Sequence, residues 1–225
     1  MVMAEATNHY FKHLGVSDGL SQVCIPSIYQ DELGAVWLGT TEGLNRYNGK
    51  DVKVFQPSES NHGLTNNEIN ELCGDKNGRM YIRSGNDLIK LDIYTEQFTC
   101  LRQKGVYGLF CKKDTLWVSC ADGIYYYTGQ GTELTFFARV QKGFVGRALY
   151  VDKETVWVVT RKYLVAISRE DPLRQEILLT LDKGNCILGD SSGNIWVGAW
   201  NGLYRISPNR ETTAYVSHSG MGELS

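Results

Sequence analysis

Histidine is scarce, and what there is stands scattered. The four histidines, His9, His13, His62 and His218, fall in no H-E-x-x-H motif and beside no paired carboxylates, so no zinc-hydrolase helix is written here. No G-x-S-x-G elbow and no phosphate-cradling glycine loop occurs. No apolar run nears the roughly 18 residues a membrane span needs. Residues 1–8, Met-Val-Met-Ala-Glu-Ala-Thr-Asn, have no apolar core of a signal peptide. The protein is therefore cytosolic, or a leader was removed upstream, and the sequence leaves both open. Strong charge of either sign is missing too. Lys and Arg total 23 against 25 Asp and Glu, for a net charge of −2. The charges are dispersed along the chain, which argues against a nucleic-acid surface with its clustered basic footprint. The six cysteines, Cys24, Cys73, Cys100, Cys111, Cys120 and Cys186, show no C-x-x-C and no zinc spacing. They read as free thiols used as small hydrophobes. Cys111 and Cys120 flank a turn where a hairpin disulfide is conceivable, though a domain of this size does not need one. No metal, cofactor or catalytic residue is expected.

Helical periodicity is nearly absent as well. Short apolar stretches punctuated by Gly, Asn and Asp take its place. One phrase, Gly34-Ala35-Val36-Trp37-Leu38-Gly39-Thr40-Thr41-Glu42-Gly43-Leu44-Asn45-Arg46-Tyr47, organises the chain. It returns four times in degraded form, anchored on Tyr81, Trp117, Trp157 and Trp196, at spacings of 44, 36, 40 and 39 residues. Apolar residues flank every anchor: Val36 and Leu38, Met80 and Ile82, Leu116 and Val118, Val156 and Val158, Ile195 and Val197. Seven residues after each anchor stands another, namely Leu44, Leu88, Ile124, Leu164 and Leu203. A fixed period near forty signals a repeat architecture.

Each period divides into four short strands, A to D, with turn residues between them; Asn48-Gly49 is the strongest hairpin signal. Four antiparallel strands per repeat predict an all-β fold, a β-propeller segment of about five four-stranded blades. The predicted blades span approximately 20–57, 63–103, 105–140, 143–182 and 184–218. The anchors Trp37, Tyr81, Trp117, Trp157 and Trp196 are expected to wedge between neighbouring blades. Residues 9–14 alternate like a D strand without its own A, B and C, so they are expected to close a blade completed elsewhere. Gly222-Glu223-Leu224-Ser225 repeats the Gly19-Leu20-Ser21 and Gly63-Leu64-Thr65 phrases that open blades. The expectation is a longer propeller of at least six blades. Asp75-Lys76-Asn77-Gly78 superficially suggests a calcium loop but lacks the remaining ligands. Its alignment with Asp31 and Asp190 marks it as a β-turn whose Asp accepts backbone N–H bonds.

Gly19-Leu20-Ser21, Ser27-Ile28-Tyr29-Gln30-Asp31, Gly34 through Asn48, and Asp190 through Gly198 with Asn201-Gly202-Leu203 resemble the two-component regulator propeller repeat. The resemblance is strong in repeats one and five and weak in three and four, which lack the Asp-x-x-Gly turn. It implies a periplasmic sensor, usually of seven-bladed propellers in tandem. Such sensors are followed by a β-sandwich, a membrane helix and a histidine kinase, and dimerise through the ectodomain. It further implies recognition of oligosaccharides, with kinase activity in modules outside these residues. A protein-interaction scaffold is the second reading, and a propeller lyase or hydrolase the third.

Propellers usually bind on the face made by D–A loops and B–C turns. Trp200 stands out there, because blade packing requires no large aromatic in a turn, and indole faces stack on sugar C–H faces. Arg161, Lys162 and Arg83 could pair with carboxylates or sulfates of an acidic glycan. Asn201 completes the candidate ligand-binding set. Apolar faces left open on the terminal blades would drive association, so a homo-oligomer, a dimer or larger, is expected.

Overall fold

A computed structural model describes residues 13–57 and 63–216. The expected closing strand at 9–14 falls mostly outside these residues, as do His9, His62, His218 and the Gly222–Ser225 phrase. The first sheet holds β1 (Ser27–Gln30), β2 (Val36–Thr40), β3 (Gly43–Tyr47) and β4 (Val52–Phe55). The second holds β5 (Ile69–Gly74), β6 (Arg79–Ser84), β7 (Asp87–Asp92) and β8 (Gln97–Arg102). The third holds β9 (Val106–Lys112), β10 (Thr115–Cys120), β11 (Gly123–Tyr127) and β12 (Thr135–Ala138). The fourth holds β13 (Gly146–Val151), β14 (Thr155–Thr160), β15 (Tyr163–Ser168) and β16 (Gln175–Thr180). The fifth holds β17 (Cys186–Gly189), β18 (Ile195–Ala199), β19 (Gly202–Ile206) and β20 (Thr212–Tyr215). Every sheet is an antiparallel meander with its strands in chain order. The first strand of sheet one starts only at Ser27. Pro26 precedes it and has no N–H to offer a ladder.

The leading strands β1, β5, β9, β13 and β17 pack against one another in sequence order. Four apolar cores fill the spaces between successive sheets. Strand pleating explains how one strand serves two of them, since neighbouring side chains point to opposite faces. Met80 and Ile82 join the core shared with sheet one, whereas Tyr81 joins the core shared with sheet three. Leu116 and Val118 face back toward sheet two, and Trp117 faces forward toward sheet four. Val156 and Val158 face back, and Trp157 forward toward sheet five. The apolar residue seven past each anchor also points forward: Leu44, Leu88, Ile124 and Leu164 are fully buried against the next sheet. Trp196 breaks the series. It is half-buried and stacks on Tyr215 of its own sheet, with centroids 6.1 Å apart at 22°.

Aspartates at the A–B turns tie turn and wedge together. Asp31 Oδ1 accepts from Leu33 N at 3.0 Å and Ala35 N at 2.9 Å, while Oδ2 accepts from Trp37 Nε1 at 2.8 Å. Asp190 repeats this with Ser192 N, Asn194 N and Trp196 Nε1. Repeat four, which the sequence shows without an Asp-x-x-Gly turn, keeps the device in a turn one residue shorter. Asp152 Oδ1 accepts from Glu154 N and Thr155 N, and Oδ2 from Trp157 Nε1 at 2.6 Å. In repeat two the anchor is a tyrosine, and the Arg79 guanidinium takes the Asp75 oxygen that an indole would use. Tyr81 is left wholly buried with a hydroxyl that has no partner among the described residues. Cys111 and Cys120 do not meet across the hairpin. In the β9–β10 register Cys111 lies opposite Leu116 and Cys120 opposite Val106, at the two ends of the hairpin. Cys111 instead donates across the sheet boundary to Cys73, with the sulfurs 2.8 Å apart.

Candidate functional site

At one end of the sheets lie the B–C turns and the D–A connections, and backbone hydrogen bonds knit them together. Val106 N donates to Asn86 O at 3.0 Å and Ala121 N to Gly105 O at 2.8 Å. The connection from sheet four to sheet five does the same work twice over. Leu181 N donates to Lys162 O at 2.7 Å, Gly184 N to Arg161 O at 3.0 Å, and the Trp200 N–H to Asp182 O at 2.9 Å. This strap fixes the Arg161–Lys162 turn relative to Trp200. Thr160 Oγ1 holds the turn itself, accepting from Tyr163 N at 2.9 Å and Lys162 N at 3.2 Å. Gly184 is required in the strap, because a Cβ there would lie 2.4 Å from Thr160 O.

The leading strands of sheets two, three and four each carry one extra residue near this end. The register skips Asn70 in β5, Tyr107 in β9 and Arg147 in β13. A bulge leaves its extra residue out of the ladder and re-aims its side chain. Arg147 stands on the ridge between two clefts. One, of about 420 Å³, is lined by Arg147, Arg161, Lys183, Asn185, Cys186 and Trp200. The other, of about 360 Å³, is lined by Tyr107, Phe144, Val145, Arg147, Arg161 and Lys162. Among the described residues no carboxylate lines either cleft. Arg147, Arg161 and Lys162 make no side-chain hydrogen bond or ion pair among the described residues. Trp200 is 77% exposed, and Lys183 Nζ lies 4.6 Å from its ring centroid.

Of the residues singled out in the sequence, Trp200, Arg161 and Lys162 meet at these clefts. Arg83 does not. It sits on sheet two, where its Nε pairs with Glu71 Oε2 at 3.3 Å and a terminal nitrogen donates to Gly85 O at 3.2 Å. Asn201 turns back into its own sheet, donating to the Tyr204 hydroxyl at 2.7 Å. Arg147, Lys183, Tyr107 and Phe144 were missed. For Lys183 a readable signal exists. Lys104-Gly105, Lys142-Gly143 and Lys183-Gly184 recur in successive D–A connections, each lysine held at positive φ, 64°, 57° and 49°. A larger cleft of about 630 Å³ lies at the opposite end, among Lys153, Glu154, Arg169, Glu176 and Arg210. Size favours it, but three of its charged groups are already engaged. Arg210 pairs with Glu176, and Arg169 donates to the Asp152 and Lys153 carbonyls at 3.0 Å each.

Five stacked four-stranded meanders make this chain a β-propeller segment. A model of the two component regulator propeller family matches residues 19–42. Histidine kinase P4 of Formosa agariphila is 40% identical over 53 residues, 24% of this chain and 4% of that protein. The extracellular domain of the hybrid two component system BT3049 from B. thetaiotaomicron superposes with a TM-score of 0.79 at 23% identity, over 91% of this chain and 32% of that one. A streptogramin B lyase superposes at 0.68 with 17% identity, over 90% of this chain and 72% of its own. At such identities the solved structures speak to the fold alone, and the same fold serves sensors and lyases. The chain spans about a third of the sensor ectodomains it resembles. Among the described residues no helix is long and apolar enough to cross a membrane, and no group of three or more His, Cys, Asp or Glu could hold a metal ion.

Proposed function

We propose that this chain is the ligand-sensing segment of an extracytoplasmic sensor in a two-component system. In this reading it recognises an oligosaccharide at the B–C face and signals to a kinase outside these residues. The five sheets are part of a longer propeller, in which a further sheet covers Trp196 and Leu203. The periplasm is the compartment that suits such a sensor. The observation that carries the reading is Trp200. Its backbone is strapped to Asp182, its indole is exposed at a cleft mouth, and blade packing gives that ring no task. A rigid aromatic face beside hydrogen-bonding groups is the usual platform for a small polar ligand. The test is a glycan array followed by calorimetry on the full ectodomain. Trp200→Ala is expected to weaken binding of the sugar that the wild type captures by at least about tenfold, the equivalent of one lost stacking contact of roughly 1.4 kcal/mol. Unchanged affinity removes the site.

A further inference from the structure

We propose that the ligand of this face is an anionic oligosaccharide, with adjacent carboxylate or sulfate groups straddling the ridge formed by Arg147 and Arg161. The proposal rests on the sensing reading above and specifies its ligand class. Three observations support it. First, the chain as a whole carries a net charge of −2, yet the two clefts gather Arg147, Arg161, Lys162 and Lys183 with no lining carboxylate among the described residues. The cation excess is therefore local, and concave surfaces lined by one sign of charge focus the field on an incoming counter-charge. Second, both guanidiniums lack partners among the described residues, whereas Arg46, Arg79, Arg83, Arg102 and Arg210 each hold a carboxylate. An unengaged guanidinium offers the fork that reads carboxylate or sulfate bidentately. Third, Arg147 is the bulged residue of β13 and lines both clefts, so one anion on each side lies within reach of the pair. The exposed Trp200 indole selects a sugar over an acidic peptide, because it supplies a stacking face beside the charges.

The test uses the full ectodomain and an array of carboxylated and sulfated oligosaccharides, printed beside their carboxyl-reduced and desulfated counterparts and an acidic peptide. The wild type is expected to prefer an anionic sugar over its neutral counterpart by tenfold or more, and the carboxylate and sulfate arms show which anion is read. Arg147→Ala and Arg161→Ala are each expected to lose roughly tenfold to hundredfold for the anionic sugar and little for the neutral one. Arg147→Lys should recover only part, since it keeps the charge without the fork. Both arginines are exposed and unpaired, so unchanged melting curves are the folding control. Equal, Trp200-dependent binding of charged and neutral sugars overturns the charge inference and leaves the sensing reading standing. Preference for the acidic peptide, or capture of no anionic sugar, overturns the proposal.

A separate observation carries a second inference. Cys73 of β5 and Cys111 of β9 lie on adjacent leading strands with their sulfurs 2.8 Å apart. A disulfide holds sulfurs at about 2.05 Å, so joining them asks for a small shift. We infer that the pair closes to a disulfide clamping sheet two to sheet three. The two thiols together give up two protons and two electrons to the disulfide of a thiol–disulfide oxidoreductase or of oxidised glutathione, which leaves as thiols. Cys120 lies at the other end of the β9–β10 hairpin from Cys111, and burial pushes its thiol up to about 12, so it stays a thiol. Peptide mapping of the folded chain after treatment with oxidised glutathione is expected to show one Cys73–Cys111 link and no disulfide between any other two of the six cysteines. Absence of that link, or a different pairing, overturns the clamp.

Discussion

At the scale of the residue, the contacts that repeat are those between an A–B turn aspartate and the wedge behind it. Tyr81 is where the pattern is incomplete. A tryptophan there would reach the turn carboxylate, but Arg79 occupies it and the phenol hydroxyl is buried without a partner among the described residues. Burial raises its pKa well above the ordinary phenol range, so the group stays neutral. A buried hydroxyl with nothing to bond costs about 1–3 kcal/mol of desolvation. Tyr81→Phe is therefore expected to leave stability unchanged or raise it by up to about 1 kcal/mol, as read from urea denaturation. A loss greater than that would reveal a partner for the hydroxyl. Asp190 gives the opposite case. Hydrogen bonds from the Trp196 indole, then from Asn194, hold its carboxyl down at about 2. The folded value lies below the ordinary value of about 3.9, so its stabilisation is present above pH 4 and is lost as pH falls from about 4 toward 2. Between pH 6 and pH 3 the wild type should lose more melting temperature than Asp190→Asn. Equal losses would show that this carboxylate is not responsible.

At the scale of the element, strands and turns were largely legible because their signals are local. The aromatic with apolar neighbours on both sides, and the apolar residue seven positions on, are each set by pleating and by the need to fill two cores from one strand. What escaped depended on register with a partner. That Arg147 is the extra residue of β13 follows from Gly146 opposing Thr160 while Ala148 opposes Val159, which no single strand encodes. Arg83 looked available in its own strand, yet the neighbouring β5 presents Glu71 to it. Asp152 kept the role of Asp31 in a turn one residue shorter, so a fixed spacing hid it. Cys111 found its partner on another sheet altogether. The strap joining sheets four and five belongs to the same scale. Its Gly184 has backbone 2.4 Å, and the Leu181 and Val159 side chains 2.8 Å, from where a Cβ would stand. Gly184→Ala is expected to cost roughly 1–3 kcal/mol by overpacking and to weaken ligand capture by displacing Trp200 from the Arg161 turn. Full affinity with full stability in that variant would show that the strap does not set the site.

At the scale of the molecule, each sheet hands its aromatic to the next, and the fifth sheet has no such recipient among the described residues. On its open face, Leu188 opposes Trp196 across β17 and β18, and Leu203 opposes Tyr215 across β19 and β20. Leu188 is 65% exposed, Tyr215 50% and Leu203 42%, whereas Leu44, Leu88, Ile124 and Leu164, which hold the place of Leu203 in the earlier sheets, are sealed. Contiguous apolar surface of this kind drives association unless something covers it. The 225-residue chain alone is therefore expected to form dimers or larger species whose mass rises with concentration in light scattering. Leu188→Glu with Tyr215→Glu places two charges on that face, where two copies would have to desolvate them, and is expected to return the chain to a monomer. The double variant keeps its fold because neither side chain belongs to an inter-sheet core. If the wild type is monomeric at high concentration, or the variant associates as strongly, then this face is not what joins the copies. In that event the exposed leucines are compatible with solvent on their own, and the argument that a further sheet must cover them loses its physical footing.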